Sequence, residues 1–492
     1  MTSLRGAAAL CPKFTPWQFM LAVDEVNYDL TEQADYVERS GDERPLVNLS
    51  SGVNFQQPAW EFVDFVLGAA RDPLLWHDYD GPNGHVLGRA AVAAYETRRS
   101  AGLTTIGPEN VIVTAGASAG IALAARVLAA RVRPGLQRPH AVLPAPTFPL
   151  VGAALCDAGF TVSQVVSCLP ERWLPTVEEL TASAPPQTTV IYVNTFNNPT
   201  GERYSEAELR QLAVWARDRS VVILHDVVSS DLAPEGHLPH LPSIAAKEGY
   251  ADGVLTVGSL SKSRALPGFR IAWLIGDAQT MQAAAAANEL IAPSSPGLAS
   301  PALLLDRLAM LEAERQYGSA RDGAEQVVDL IEPHFATFPG LRELTSRLID
   351  EAHTSGAMAG LLAWRQDLRQ LLAANEAILR TRFGDLTGWV PTWRGDFNTF
   401  IHLPALDGRD YLQTTHTLFR RFGLQTLPAP AFGHTAQWWR QRGYFTRLSF
   451  ALPPAQWVRG LERLADACAA LGRPTVGVGH PTATAAPTNG RG

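Results

Sequence analysis

Between residues 140 and 276 the chain alternates short continuous apolar runs with stretches whose apolar residues recur at helical spacing. The runs are HAVLPAP (140–146), TTVIYVN (188–194), SVVILHD (220–226), GVLTVGS (253–259) and RIAWLIG (270–276). Runs of this kind suit strands buried on both faces. Between two of them, SEAELRQLAVWARDRS (205–220) places its apolar residues on one helical face. Ahead of the first, VIVTAGASAGIALAARVLAARV (111–132) reads as strand, glycine turn and helix. The alternation predicts an α/β fold with a mostly parallel sheet covered by helices on both sides. In such sheets ligands bind beyond the carboxyl ends of the strands. Those ends carry Gly116 to Ser118, Asn198, Asp226 and Ser259 to Lys262, which places a candidate site there.

The pattern changes after residue 325. A helical stretch (365–383) precedes FNTFIHLP (397–404) and YFTRLSFAL (444–452), which predict the strands of a smaller α+β unit. Near the start, TPWQFMLAVDEVNYDLTEQADYV (15–37) has a Thr–Pro entry and helical spacing of Phe19, Val23, Val26 and Leu30. It reads as a packing or dimer-contact helix. From residue 473 a Pro, Gly, Thr and Ala-rich tail predicts disorder without a catalytic role.

Composition narrows the function class. A chain of 492 residues, 46% hydrophobic, can bury a large core, and a net charge of −7 leaves no basic footprint for nucleic acid. Cys11, Cys156, Cys168 and Cys468 are scattered, so neither a metal site nor a disulfide framework is expected. No run approaches the roughly 18–20 apolar residues of a membrane span, and no signal-peptide pattern opens the chain. A cytoplasmic protein with no membrane partner is expected.

The candidate chemistry centres on SLSKSRALPGFRIAW (259–273). Serine hydroxyls and an arginine fork suit a phosphate monoester. A lysine among them can form an imine with an aldehyde if burial or neighbouring positive charge depresses its pKa. Phosphate ligands around a lysine fit pyridoxal 5′-phosphate (PLP).

The pattern SxSKxxxxPGxR resembles the signature of the class I/II aminotransferase superfamily, the fold type I PLP-dependent enzymes. Further elements follow in the family's order. The resemblance implies a three-layer, mostly parallel PLP-binding large domain (76–325) and a smaller α+β domain (46–75 and 326–472), as in aspartate aminotransferase. Residues 1–45 would be an N-terminal extension and 473–492 a disordered tail. It also implies site residues. Lys262 would hold PLP as a Schiff base, with Ser259, Ser261 and Arg270 on the phosphate. TAGASAG (114–120) is similar to the phosphate-cradling turn, with the N–H groups of Ala117 and Ser118 as donors. PAPTFPL (144–150) would stack Phe148 on the pyridine ring. NNPTG (197–201) would bring Asn198 to O3′, and ILHDVVSSDL (223–232) would pair Asp226 with the ring nitrogen. YFTRLSFA (444–451) would clamp the substrate carboxylate through Arg447, beside Gly52 of LSSGVNF (49–55). YDGPNGHVLGR (79–89) would send Tyr79 to the phosphate of a neighbouring subunit, implying a homodimer with shared sites.

Three departures stand out. Ser229 occupies the position of the family's O3′-bonding tyrosine, Ala272 that of a common glycine, and Gly88 that of a usual leucine. The first functional reading is therefore an aminotransferase acting on an α-amino acid. The second is a PLP-dependent lyase or carbon–carbon bond-forming enzyme, for example one eliminating from S-adenosylmethionine. It is favoured by Ser229 and by Trp438, Trp439 and Tyr444 as walls for a larger substrate. His434, Gln437, Asn54 and Asn398 are further candidates for the pocket lining. A non-catalytic PLP-binding regulator is the third reading; residues 1–45 are too short and too weakly basic for its winged-helix domain.

Overall fold

The computed structural model describes residues 14–40, 46–77, 79–131, 138–169, 171–233, 238–290 and 297–472. The expected tail, Cys11 and part of the N-terminal extension lie outside them. Among the described residues the apolar runs form one seven-stranded sheet. Its strands are β1 (Val111–Ala115), β2 (His140–Ala145), β3 (Thr161–Val166), β4 (Thr188–Asn194), β5 (Val222–Asp226), β6 (Val254–Ser259) and β7 (Ile271–Ile275). The order is β1-β7-β6-β5-β4-β2-β3. Only β7 runs antiparallel to its neighbours.

The expected runs appear within one or two residues of their predicted ends. β3 went unpredicted because it is an edge strand: Thr161 is exposed, and Val162, Ser163 and Gln164 are half-buried. β3 therefore lacks the continuous apolar run that marks strands buried on both faces, whereas β1, at the other edge, is buried and keeps one.

Helix α2 (Ala117–Ala130) follows β1 through Gly116, whose φ of 95° is open to glycine and strained for other residues. Helix α3 (Pro149–Asp157) follows β2. The predicted amphipathic helix spans Glu206–Arg219, opened by a Ser205–Glu208 capping box.

The later part of the chain builds a three-stranded antiparallel sheet. It consists of β8 (Asn398–His402), β9 (Leu427–Pro428) and β10 (Phe445–Ser449), with β10 in the middle. Helix α4 (Ala299–Ala313) is buried along nearly its whole length. Helix α5 (Ala357–Arg382) contributes Leu361 to one core, and Leu368, Leu372 and Leu379 to another. Helix α6 (Tyr411–Phe422) belongs to the second core through Leu418.

The single amphipathic stretch expected at 15–37 is two helices. α1 spans Thr15–Asn27, and a second helix starts at Leu30. Asp29 causes the break: its Oδ1 accepts from the N–H groups of Thr31 and Glu32 at 2.9 and 3.1 Å. α1 packs on both α3 and α6, so it bridges the core that holds Val151 and Leu155 of α3 and the core that holds Leu418 of α6.

Candidate active site

Pairing register brings the polar strand ends together. Asn194 lies opposite Asp226 across β4 and β5, and Ser259 opposite Ala272 across β6 and β7. Ala115, at the end of β1, faces Ile271, next to Arg270. A cavity of about 290 Å³ opens at this edge. Eleven of the twelve predicted site residues line it: Gly52, Ala117, Ser118, Phe148, Asn198, Asp226, Ser259, Ser261, Lys262, Arg270 and Arg447.

The wall beneath β1 is built as an anion cradle. α2 begins at Ala117 with no side-chain cap, so its first N–H groups stay available as donors. Arg270 sits in the left-handed region (φ 55°). Its Nη2 donates to the Ala115 carbonyl at 3.1 Å and its Nη1 to Pro267 at 3.2 Å. A Cβ on Gly116 would stand 2.1 Å from Arg270 Nη2, so only glycine leaves room for the guanidinium. Ser259 Oγ accepts from Ser261 N at 3.0 Å and lies 2.8 Å from Ser261 Oγ.

Lys262 follows on a short helix, Leu260–Ser263. Burial lowers its pKa to about 8, assisted by Arg447 and Arg270 and opposed by Asp226. Burial raises the Asp226 carboxyl, against the pull of the Val228 N–H, the Tyr192 hydroxyl and Lys262.

Arg447 projects from β10, paired with Leu427 on one side and Phe400 on the other. It is only 3% exposed. Nη1 donates to Asn198 Oδ1 at 2.9 Å, and Nη2 donates to the Ser50 carbonyl. The first bond leaves Asn198 Nδ2 as a donor. A Cβ on Gly52 would stand 3.2 Å from Arg447 Nη1, so the glycine keeps a face of the guanidinium accessible. Burial lowers the Arg447 pKa to about 10, opposed by Asp396, Tyr28 and Asp24.

The residues fit PLP as a bound group. An uncapped helix start and an arginine suit its phosphate, a lysine of lowered pKa its aldehyde, and a buried carboxylate its ring nitrogen. The buried Asn194 Oδ1, without a protein partner, adds an acceptor in the same cavity wall.

Other placements differ from expectation. Tyr79 is 95% exposed and outside the cavity. His434, Gln437, Trp438, Asn54 and Asn398 do not line it. Asn54 donates to the Lys262 carbonyl at 3.2 Å, supporting the lysine from behind. Trp439 and Tyr444 are core residues, 0% and 1% exposed. Trp439 packs on Trp173 and Phe400, and Trp438 stacks on His434 with ring centroids 4.3 Å apart. The aromatic group therefore fills a core and shapes no substrate pocket. Ser229 does line the cavity.

Met20, Asp24 and Tyr28 of the N-terminal segment, together with Asn194, were missed as lining residues. The i, i+4, i+8 spacing of the first three marks one helical face, but the sequence pattern does not say what that face meets.

Residues 44–345 match the family described as aminotransferase class I and II. This chain belongs to that family. It is 26% identical over 245 residues to an aspartate aminotransferase of Streptomyces avermitilis, covering 49% of this chain and 57% of that protein. It is 32% identical over 198 residues to an S-alkyl-thiohydroximate lyase of Arabidopsis thaliana, covering 39% and 40%. The matched stretches span about half the length of these curated relatives. The aspartate aminotransferase structure from Thermotoga maritima superposes with a TM-score of 0.65 at 19% identity, covering 90% of this chain and 98% of that one. An aminotransferase structure from Mycobacterium tuberculosis gives 0.66 at 20% identity, covering 90% and 97%. These likenesses establish the fold.

Proposed function

We propose that this protein is a PLP-dependent aminotransferase acting on an α-amino acid. The observation that carries the reading is the meeting of Lys262, Asp226, Arg270 and Arg447 in one cavity at the polar strand ends. PLP, when bound, supplies an electron sink for charge developing at the substrate α-carbon.

The chain's own residues supply the rest. The N–H groups of Ala117 and Ser118, with Ser259, Ser261 and Arg270, would hold the phosphate, and Lys262 would be the residue bonded to the aldehyde carbon. Phe148 would flank the ring, Asn198 Nδ2 would donate to O3′, and Asp226 would keep the ring nitrogen protonated. Arg447 fixes the α-carboxylate and so orients the α-proton. Lys262 Nζ would take that proton; its lowered pKa suits a base near neutral pH.

The reading includes a PLP-binding large domain over 76–325 and a small domain from 46–75 and 326–472. A cytoplasmic homodimer with shared sites is part of it. The free cysteines Cys156, Cys168 and Cys468 support a reducing location, and the exposed Tyr79 supports a residue offered to a neighbour. No helix among the described residues is long and apolar enough to cross a membrane.

A second reading keeps the cofactor and changes the outcome to elimination or carbon–carbon bond formation. It is favoured by Ser229 in the cavity wall, too short to reach O3′ as the family tyrosine does, and by the resemblance to a lyase.

Wild-type protein and Lys262→Ala are to be mixed with PLP, reduced with borohydride and weighed by mass spectrometry, and products from an amino-acid panel identified. A PLP adduct on wild type alone, with keto acid and pyridoxamine phosphate formed, supports the first reading. An eliminated fragment supports the second. An equal adduct on Lys262→Ala overturns both.

A further inference from the structure

The cavity carries more charge than the proposed chemistry uses. Its lining residues include three basic side chains, Lys262, Arg270 and Arg447, and two acidic ones, Asp226 and Asp24. On the reading above the first four hold the aldehyde, phosphate, α-carboxylate and ring nitrogen. Asp24 is left without a task. Its carboxylate is half-buried, and among the described residues it accepts no side-chain hydrogen bond and joins no ion pair.

Its placement is built into the fold. Met20 and Asp24, one turn apart on α1, and Tyr28, which follows its last residue, line the cavity. α1 is pinned on both sides. The Phe14 ring at its start occupies the space a Cβ on Gly152 of α3 would need, 2.3 Å away. At its other end Asn27 Nδ2 donates to the Thr426 carbonyl at 2.9 Å. α1 thus holds a carboxylate in the wall of the cavity that Arg447 also lines.

We propose that Asp24 reads the substrate side chain, and that the substrate is an α-amino acid bearing a distal ammonium or guanidinium group. The inference rests on the proposed function for its α-carboxylate anchor. In the free protein Arg447 offsets the charge of Asp24, while burial raises its pKa to about 6, so it is largely ionised at neutral pH. A substrate α-carboxylate on Arg447 consumes that offset. An acidic side chain would then add like charge, and a neutral one would leave Asp24 desolvated without a counter-ion. A cationic nitrogen restores the balance through a charge-assisted hydrogen bond. Met20 offers apolar surface for a methylene stem, and the Tyr28 ring offers a face attractive to a cation.

The test uses α-methylornithine, α-methylnorleucine and α-methylglutamate, which lack the α-proton and are not turned over. Their binding to PLP-loaded protein is measured by calorimetry for wild type, Asp24→Asn and Asp24→Lys. Wild type is expected to bind the ornithine analogue at least ~10-fold tighter than the norleucine analogue. That ratio collapses in Asp24→Asn, and Asp24→Lys turns the preference toward the glutamate analogue. A wild-type ratio near one, or an Asp24→Asn change that weakens all ligands alike, overturns the proposal. Failure of the underlying reading is seen separately, as absence of the borohydride-trapped PLP adduct before any amino acid is added.

Discussion

The phenol of Tyr192 donates to Asp226 Oδ2 at 3.0 Å, while the Val228 N–H donates to Oδ1 at 2.9 Å. Tyr192 is fully buried two residues before Asn194 on β4, and burial with the adjacent carboxylate keeps its hydroxyl protonated far above neutral pH. Both donors stabilise the ionised form of Asp226 against its desolvation. Tyr192→Phe should lower kcat about tenfold, in line with a charge-assisted bond of ~1.5–3 kcal/mol acting in part. Loss of a donor to the anion raises the Asp226 pKa, so the acid limb of the kcat–pH profile should move to higher pH. A purely structural role would lower Tm and leave that limb in place.

Arg447→Lys keeps the charge and removes the fork. The Nη1 and Nη2 bonds to Asn198 and Ser50 cannot both be kept by one ammonium that must also face a carboxylate. KM for the amino donor should rise roughly 10–100-fold, with a smaller fall in kcat. Steady-state kinetics with one donor checks this; an unchanged KM would place the carboxylate elsewhere.

Behind the site lies a buried ion cluster. Asp306, 0% exposed, bonds Arg264 and Arg307, and Asp231 bonds the same two guanidiniums at 3.1 and 3.3 Å. Arg264 stands two residues after Lys262, so the cluster ties the lysine-bearing turn to α4. Asp306→Ala removes one carboxylate from two buried cations. It should cost ~3–5 kcal/mol in urea unfolding and weaken PLP retention.

Asp396 gives a pH signature. Burial pushes its carboxyl up to about 7, although Phe397, Asn398 and Arg447 favour the anion. The folded state therefore binds more protons than the unfolded state between about pH 4 and 7. Asp396 contributes stability below the unfolded pKa, and that contribution is lost as pH rises through 7. At about 1.4 kcal/mol per pKa unit the loss is on the order of 4 kcal/mol. Asp396→Asn should be more stable than wild type at pH 8 and should flatten the slope between pH 5 and 8 in denaturant titrations.

Much of the sheet and most of the candidate site were legible in the sequence because both leave local marks. Strands buried on both faces need continuous apolar runs, and a strand end that binds a charged group must break that run with polar residues. β2, β4, β5, β6 and β7, and eleven of the twelve named site residues, were found on those marks and on their family order. β3 left no such mark because an edge strand tolerates polar side chains. Trp438, Trp439 and Tyr444 misled for the opposite reason: an aromatic cluster reads alike whether it lines a pocket or fills a core, and only burial separates the two.

What the sequence determined by itself is the α/β alternation, the family and the candidate groups for PLP, since each depends on residue types at short spacing. The tertiary structure alone decided how distant segments meet. Arg447 reaches Asn198 and Ser50 across about 250 and 400 residues of chain. Tyr192 supports Asp226 through adjacent strands, and α1 lays Asp24 over the cavity. An amphipathic helix specifies that one face will be covered, and packing decides by what. Here α1 packs on two cores and lines the cavity, which makes a helix that reads as ordinary packing part of the candidate site.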